Sequence, residues 1–380
     1  MLIDLVVLGL ALGGLPWLLS ALLLPRWLRR TRVRLPGSAH PVFDRVRVVV
    51  PARDEAATIG RAVQALRAVP GRVTVRIIDD HSTDGTNYLA FQAISDDPRF
   101  RVVPGRDLPP GWGGKAFACS QGVDGPAEWL LFVDADVIVD PRLPQTLQRI
   151  ALDRGSDLIS AFGTWELPSF GAQWLVPALG WIVRGAVDAG RVAAGRQAFA
   201  NGQVILVRRS TYERIGGHGA VRGEVLDDVG LAAAVQRAGG RVDIVYCPEG
   251  FMVRAYESAS DLMRGYRKNL HAGLGRRRWL GVLAAIGVLW AFVGPFVGLV
   301  LAVSGGSVLV GAPACLAGVA LMLAVRVVLE RIEGRSGVMA AFQPFAGLPI
   351  AWVFLTSALG RSASWKGREF IDGRVGDGAH

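Results

Sequence analysis

The sequence is poor in the residues that build disulfide frameworks and zinc sites. Its 380 residues include three cysteines and five histidines. The cysteines, Cys119, Cys247 and Cys315, form no CxxC pair, and the last of them lies inside a long apolar run. Neither a disulfide-stabilised secreted domain nor a structural zinc site is therefore indicated.

Two glycine-rich motifs that bind phosphates are also missing. No GxGxxG follows the first predicted strand, and no GxxxxGK[ST] occurs in the chain. The dinucleotide-binding and P-loop classes are therefore excluded. Any phosphate ligand of this protein must therefore be bound by residues other than a glycine-rich loop of these two types.

Charge is absent from several long stretches. The chain is 51% hydrophobic with a mean hydropathy of +0.35, which is too apolar for an ordinary soluble domain. A helical span needs about 20 apolar residues. The candidate spans are 5–24, 279–303, 307–325 and 338–360.

The rest of the chain is charged and rich in turns, which predicts a soluble domain between membrane segments. The predicted parts are an N-terminal anchor (1–25), a soluble domain (41–275), a C-terminal membrane region (279–360) and a tail (361–380). The chain starts MLID, without a positive charge, and no small-x-small cleavage site follows the first apolar run. We therefore expect an uncleaved anchor rather than a signal peptide.

Basic residues cluster beside the apolar segments. The net charge is +10, and much of the excess lies in 26–34 and 264–278. Such clusters favour the cytoplasmic side of a membrane and attract anionic headgroups, which argues against a nucleic-acid partner. With the soluble domain in the cytoplasm, segment 338–360 would leave basic residues outside. Its two prolines, Pro344 and Pro349, therefore make it a candidate re-entrant hairpin.

Short apolar strands alternate with helical stretches inside the soluble domain. Between the first two strands, Ile59, Val63 and Leu66 recur at helical spacing, and Pro70-Gly71 ends the run. A strand, a helix and a strand within about 30 residues predict a βαβ unit, and so an α/β fold with a parallel sheet. The predicted strands are 46–50, 73–79, 101–103, 129–133, 157–162, 203–207 and 241–245.

Acidic residues follow three of these strands, where ligands of parallel sheets bind. Asp134 and Asp136 follow strand 129–133 one residue apart, so they are predicted to face the same side. Carboxylates held close together repel unless a cation lies between them, and Mg²⁺ or Mn²⁺ prefers such oxygen ligands. We expect Asp136, helped by Asp134, to hold a divalent ion that neutralises a diphosphate. A helix cap followed by a turn is the alternative for the acidic stretch 79–86.

Four blocks of this sequence resemble glycosyltransferase family 2, a family of inverting enzymes with a GT-A fold. They are VVVPARDEAATIG, VRIIDDHSTDGT, WLLFVDADV and EVLDDVGLAAAVQRAG, in that order within about 45–270. The stretches LPPGWGGKAFACSQG and SWKGREF are similar to its membrane-bound branch, which includes hopanoid-associated and carotenoid (diaponeurosporenoate-type) glycosyltransferases.

The resemblance implies that the donor is a nucleoside diphosphate sugar, with UDP as the favoured nucleotide. It also implies a role for each matching residue. Asp80 would bind the base with Asp79 beside it, and Lys115 would lie near the diphosphate. Asp134 and Asp136 match the DxD motif, which implies a divalent metal. The other residues that would line the nucleotide pocket are Pro51, Arg53 and Glu55.

The acid pair Asp227-Asp228 falls where the family has its catalytic base. A single displacement needs one carboxylate facing the acceptor hydroxyl, and two neighbours at a helix start point in different directions. We therefore assign Asp228 as the general base, with Asp227 and Glu224 as lesser rivals. First-turn acids that complement the helix dipole are the alternative.

The chain departs from the family's processive members because QxxRW is absent. Arg264, Arg267 and Lys268 are candidates for the missing phosphate contact, with binding to anionic headgroups as the alternative. His218 is a candidate acceptor contact or a loop residue without a role, and His271 is a possible third metal ligand. Trp165, Trp174 and Trp181 either meet an apolar acceptor or simply pack, and the apolar stretch 167–199 is a candidate amphipathic surface element.

These features predict a membrane-anchored, metal-dependent, inverting glycosyltransferase that faces the cytoplasm. It would move one sugar to a lipid acceptor such as a hopanoid or a carotenoid. The alternatives are a polyprenyl-phosphate glycosyltransferase, a polysaccharide synthase and a non-catalytic membrane scaffold.

Overall fold

The structure, a computed structural model, describes residues 2–40, 44–254, 258–274, 277–304, 311–360, 362–365, 368–371 and 374–375. The side chains of residues 2, 259, 268, 271–274 and 362–375 lie outside that description. So do residues 305–310, with which the predicted span 307–325 begins, and most of the predicted tail.

The strands and helices are numbered in chain order. The strands are β1 (Val46–Ala52), β2 (Val73–Asp79), β3 (Phe100–Pro104), β4 (Trp129–Val133), β5 (Val137–Val139), β6 (Leu158–Phe162), β7 (Thr164–Glu166), β8 (Val204–Arg208), β9 (Val242–Tyr246), β10 (Phe251–Arg254), β11 (Ser362–Trp365), β12 (Arg368–Ile371) and β13 (Arg374–Val375). The helices are α1 (Leu2–Ala11), α2 (Leu15–Thr31), α3 (Ile59–Arg67), α4 (Thr86–Ile94), α5 (Gly114–Gln121), α6 (Leu143–Arg154), α7 (Phe170–Ala186), α8 (Ala189–Ala193), α9 (Arg209–Arg214), α10 (Asp227–Arg237), α11 (Ala259–Leu274), α12 (Arg278–Phe292), α13 (Gly294–Ser304), α14 (Gly311–Ile332) and α15 (Gln343–Leu359).

The chain divides into two compact units. The helical unit comprises Met1–Arg29, Leu167–Ala186 and Ala255–Trp365. The sheet unit comprises Arg30–Glu166, Val187–Arg254 and Lys366–His380. Residues 167–186 of the apolar stretch 167–199 thus group with the N- and C-terminal helices, whereas the predicted boundaries placed them in the soluble domain.

The sheet unit is built on a seven-stranded sheet with the order β3-β2-β1-β4-β8-β6-β9. The first four strands in this order run parallel to their neighbours, as the βαβ pattern predicts. β8 enters antiparallel between β4 and β6. A second sheet, β5-β10-β7, adds three short strands that the sequence analysis missed. They are only three or four residues long, so alternation gave too little signal.

The core of the sheet unit follows from the apolar patterns. Val46, Val48 and Val50 of β1 are buried because helices and neighbouring strands cover the sheet. Ile59, Val63 and Leu66, the predicted apolar face of α3, are also buried. Each such side chain contributes roughly 1.5–3 kcal/mol when it leaves water.

Among its described residues, the helical unit has three helices long and apolar enough to cross a membrane: Ile3–Thr31, Gly311–Ile332 and Val338–Leu359. The pair α12 and α13 makes a fourth candidate, bent by 49°. The predicted hairpin at 338–360 is wrong, because this segment is one helix. Its Pro344 lies in the first turn of α15, where the missing N–H costs nothing. The bend lies instead between Phe292 and Gly294.

Glycines bring the helices of the helical unit close together. A Cβ on Gly14 would lie 2.8 Å from Cα of Gly318, and one on Gly13 would lie 2.2 Å from the carbonyl oxygen of Trp290. Small residues at crossings of this kind are typical of membrane helices. The N-terminal segment thus packs within the helical unit, and its role as an uncleaved anchor stays a prediction.

Buried polar groups also join helices in this unit. Pro177 has no N–H, so the carbonyl of Gln173, one turn earlier in α7, loses its usual helical partner. Nη2 of Arg326 donates to that carbonyl at 2.8 Å. Nε of Arg326 donates to Oε1 of Glu330 at 2.7 Å, and Nη1 donates to Oε1 of Gln343 at 2.8 Å. The buried guanidinium is thereby paired and joins α7, α14 and α15.

Candidate active site

The aspartates of the DxD motif lie in the turn between β4 and β5. The backbone N–H of Asp134 donates to the carbonyl of Gln203 at 3.1 Å, and that of Val137 donates to the carbonyl of Asp134 at 3.1 Å. The hydrogen bond to Gln203, which directly precedes β8, and the hydrogen bond within the turn therefore hold the two carboxylates in place at the carboxyl end of β4.

Asp136 carries the most perturbed carboxylate of this turn. Its Oδ1 is buried and has no hydrogen-bond partner among the residues that the structure describes. Burial first, and then the charges of Asp134 and Glu55, raise the pKa of Asp136 to about 7, from a usual value of 3.8. A buried oxygen without a donor, among like charges, is in the state that a bound cation would relieve.

Lys115 connects the DxD turn to a second acidic pair. Its Nζ lies 2.6 Å from Oδ1 of Asp134 and donates to the carbonyl of Gly202 at 3.5 Å. Burial alone would lower the pKa of this ammonium, but the charges of Asp134 and Asp227 outweigh burial and raise it. Lys115 is therefore a permanent positive charge between the two acidic pairs.

Asp227 and Asp228 begin α10, as the sequence analysis predicted. Asp227 is buried, with 8% of its surface exposed, whereas Asp228 is half-buried. Burial first, and then the charge of Asp227, raise the pKa of Asp228 to about 6. The backbone N–H of Val229 donates to Oδ1 of Asp228 at 2.8 Å. A carboxylate with this pKa, within reach of solvent, is suited to accept a proton near neutral pH.

Gly202 is a site residue that the sequence analysis missed. A Cβ at this position would lie 3.0 Å from Oδ2 of Asp228 and 3.1 Å from Nζ of Lys115. The backbone of Gly202 therefore lies against both groups, and a side chain there would displace one of them. The Asn201-Gly202 pair before β8 was the available signal, but such pairs mark ordinary turns far more often.

The predicted nucleotide pocket is assembled at the ends of β1 and β2. Ala52 and Asp79 are paired across these strands, which brings Pro51 and Arg53 beside Asp80. Nη1 of Arg53 lies 3.8 Å from Oδ2 of Asp80 and donates to its carbonyl at 3.2 Å. Asp80 is 6% exposed, so little of its surface remains for a ligand as the side chains stand.

Two loops at this edge hold each other in place. The N–H of Glu55 donates to Oγ1 of Thr86 at 2.7 Å, and the N–H of Thr83 donates to Oδ1 of Asp54 at 2.9 Å. Oδ1 of Asp84 accepts from the N–H of Thr86 at 3.0 Å, at the start of α4. Stretch 79–86 thus includes the helix start that the alternative interpretation expected, and ligand binding by Asp79 and Asp80 stays a prediction.

His218 packs inside the sheet unit. Its Nδ1 lies 2.8 Å from the hydroxyl of Tyr212, and its ring meets the edge of Phe132 at 4.7 Å between centroids. Burial lowers the pKa of His218 to about 4, so the imidazole is neutral at physiological pH. This environment favours a structural role, and an acceptor contact stays a prediction.

The basic candidates lie on α11 of the helical unit. Arg264 pairs with Asp261 on the same helix, and Arg267 lies against Gly360 at the end of α15. The side chains of Lys268 and His271 lie outside the described part of the structure. The phosphate-binding role of these residues stays a prediction.

The tryptophans of α7 pack within the helical unit. Trp181 stacks on Trp17 with 3.9 Å between ring centroids, and its indole N–H donates to Ser20 at 3.0 Å. The indole N–H of Trp174 donates to the carbonyl of Phe342 at 2.8 Å. These contacts favour the packing alternative for both residues.

Within the described residues, no group of three or more His, Cys, Asp or Glu side chains is placed to hold a metal ion. Asp134 and Asp136 could supply two ligands. Mg²⁺ commonly takes one or two carboxylates and completes its shell with water and substrate phosphates. The donor set, and the unpartnered oxygen of Asp136, thus fit a divalent ion that arrives with a phosphate ligand.

The chain was then compared with known proteins. Residues 44–274 match the sequence model of the family described as "Glycosyltransferase like family 2". The chain is 29% identical over 259 residues to a 4,4'-diaponeurosporenoate glycosyltransferase of Staphylococcus aureus. That match covers 64% of this chain and 65% of the relative, which is just under two thirds of its length.

Solved structures give weaker similarities. A Pyrobaculum calidifontis mannosyltransferase with GDP-Man and Mn²⁺ has a TM-score of 0.49 at 16% identity, covering 94% of this chain and 97% of that one. Glucosyl-3-phosphoglycerate synthase of Mycobacterium tuberculosis with Mn²⁺ and UDP-Glc has a TM-score of 0.43 at 19% identity, covering 65% and 86%.

The family match covers more than half of the chain. It includes every acidic residue of the site and the whole seven-stranded sheet. The sheet unit has the predicted α/β fold, and the predicted family is confirmed. The chain therefore belongs to the glycosyltransferase-like family 2.

Proposed function

We propose that this protein transfers one sugar from a nucleoside diphosphate sugar, with UDP first, to a lipid acceptor and inverts the anomeric centre. The sheet unit would face the cytoplasm, where the donor is made. One observation carries the proposal: Lys115 and Gly202 join two separate acidic pairs, Asp134/Asp136 and Asp227/Asp228, within one crevice. Phosphate binding and proton removal need two such groups side by side.

The first pair would hold a divalent cation through the carboxylates of Asp134 and Asp136. When bound, such a cation supplies a Lewis acid that stabilises charge on a leaving diphosphate. Lys115 adds a second positive charge near the diphosphate. Arg53, Glu55 and Asp80 would bind the base and ribose at the ends of β1 and β2.

Asp228 would act as the general base. It accepts the proton of the acceptor hydroxyl while the acceptor oxygen forms a bond to C1 of the sugar. The bond from C1 to the diphosphate oxygen breaks on the opposite face, and the nucleoside diphosphate leaves with the electron pair. Attack opposite the leaving group inverts C1, so a single carboxylate suffices.

A lipid acceptor is supported by the helical unit and by the similarity to a 4,4'-diaponeurosporenoate glycosyltransferase of Staphylococcus aureus. Many large apolar side chains of the helical unit are exposed, such as Leu5 at 61%, Leu22 at 65% and Leu359 at 69%. Such a surface suits a bilayer. An enzyme held there meets acceptors that are dissolved in the membrane.

The test uses the full-length protein in detergent with Mn²⁺ or Mg²⁺, a panel of UDP-sugars and a bacterial lipid extract. We expect metal-dependent release of UDP together with a new glycolipid, and loss of both in Asp136→Asn and Asp228→Asn. Asp153→Asn, which removes an exposed carboxylate on α6, is the matched control and should behave as wild type.

Each other outcome has a defined meaning. If UDP-sugars fail, GDP- and dTDP-sugars test the choice of nucleotide. Sugar on a phosphorylated carrier would favour the polyprenyl-phosphate alternative, and a growing polymer would favour a synthase. Turnover that both site variants retain would refute the assigned site.

A further inference from the structure

Lys115 takes up the oxygen that a divalent cation would need. Its Nζ is 2.6 Å from Oδ1 of Asp134, a distance typical of a short charge-assisted hydrogen bond. The lysine side chain is 42% exposed and that of Asp134 is 26% exposed. The pair is therefore accessible to solvent and to a ligand, and the long lysine stem can swing away without disturbing the core.

The surrounding charges explain why this ammonium stays. The negative charges of Asp134 and Glu55 act on Asp136, and that of Asp227 acts on Asp228. The charge of Lys115 acts in the opposite direction on both acids. One lysine thus offsets repulsion in the DxD turn and at the start of α10.

A divalent ion cannot share this position with the ammonium. Two cations on one carboxylate repel strongly in a partly buried site, so an ion at Asp134 requires Lys115 to leave. Its departure without a replacement would also remove the charge that offsets the acids at α10. A metal ion that enters alone therefore meets resistance from the protein itself.

We propose that Lys115 is a resident counter-ion that keeps the DxD turn from binding a divalent cation until the nucleoside diphosphate is present. This inference deepens the proposed function and rests on it. The phosphates would take over the ammonium of Lys115 and complete the shell of the cation. In the structure the ammonium also donates to the carbonyl of Gly202, 3.5 Å from Nζ. Cation and donor then bind together.

The test measures Mn²⁺ binding to the full-length protein in detergent, by electron paramagnetic resonance or calorimetry, first without and then with UDP. In Lys115→Met we expect Mn²⁺ alone to bind about tenfold more tightly than in wild type, and UDP to enhance Mn²⁺ affinity less. Lys115→Arg keeps the positive charge, so its Mn²⁺ affinity without UDP should match that of wild type. Arg237→Met removes an exposed charge at the end of the helix that Asp228 begins, and is the matched control.

Asp134→Asn completes the design. It removes the partner of the lysine, so adding Lys115→Met to it should no longer tighten Mn²⁺ binding. Unchanged or weaker Mn²⁺ binding in Lys115→Met, or an equal gain in Arg237→Met, would overturn the counter-ion role while leaving the proposed function standing. Absence of Mn²⁺ binding in wild type and variant, with and without UDP, would overturn the metal site of the proposed function as well.

Discussion

One buried charge of the helical unit and one of the sheet unit have opposite surroundings. In the helical unit, Arg326 is 1% exposed and reaches Glu330, Gln343 and a backbone carbonyl, so the charge of this guanidinium is paired. In the sheet unit, Asp136 has a buried oxygen without a partner in the described structure, and its neighbours carry the same charge. Satisfied charges hold a structure together, whereas unsatisfied ones mark a place that a ligand completes.

The largest expected effect comes from Asp228→Asn. Loss of a general base costs about 10²–10⁴-fold in rate. The asparagine also removes a charge that Asp227 repels, so stability should not fall. Turnover numbers check the loss of rate, and thermal unfolding of the same preparation checks the unchanged stability. A variant that loses its fold together with its activity would instead place Asp228 with the structural charges.

Arg326→Met should lower the stability of the protein, whereas Asp228→Asn should lower its turnover. Removing one partner of a buried pair costs about 3–5 kcal/mol, because Glu330 is left charged without compensation. Urea unfolding in detergent measures this loss. Arg331→Met, on an exposed position of the same helix, is the control and should change stability little. Replacing Arg326 and Glu330 together by apolar residues should restore part of the loss, and no recovery would contradict the pairing.

Gly202→Ala probes the junction in the sheet unit. The added methyl group would press on Asp228 and Lys115, so we expect a rate about 10–100-fold lower, because small displacements of reacting groups are costly. Gly60→Ala is the control: its Cβ meets nothing within 4 Å, and it lies in α3. That change should stabilise the protein by about 0.5–1 kcal/mol with normal turnover. Equal rates in the two variants would remove Gly202 from the site.

Asp136→Asn should stabilise the protein when EDTA removes divalent ions. The amide removes one of several like charges and can donate a hydrogen bond, which is worth on the order of 1 kcal/mol. Thermal unfolding with EDTA and then with Mn²⁺ plus UDP measures the effect and its reversal. A loss of stability with EDTA would show that this carboxylate is structural.

The pH dependence of the reaction gives the smallest effect. Because the pKa of Asp228 is about 6, the base is protonated at lower pH, and kcat/KM should fall as the pH drops through that value. Asp227→Asn removes the negative neighbour that raises this pKa. The acidic limb of the pH–rate profile should then move to lower pH, and a move to higher pH would contradict the assignment.

The sequence predicted most of what alternation and helical periodicity can carry. The parallel strands, α3 and the acids at strand ends were all visible, because buried strands and amphipathic helices leave regular patterns. Gly202 was not visible, because its importance lies in what a methyl group would touch. The packing of α7 within the helical unit was also missed, since an apolar stretch does not say which surface it covers.

The proline in α7 has a consequence for how such chains change over time. Pro177 leaves the carbonyl of Gln173 in need of a donor, and Arg326 supplies it from another helix. Without the proline, residue 177 would have an N–H that can donate to the carbonyl of Gln173. Arg326 would then have one acceptor fewer. Loss of the arginine would leave the carbonyl of Gln173 without a hydrogen-bond donor in an apolar environment. We therefore expect related chains to keep both residues or to lack both.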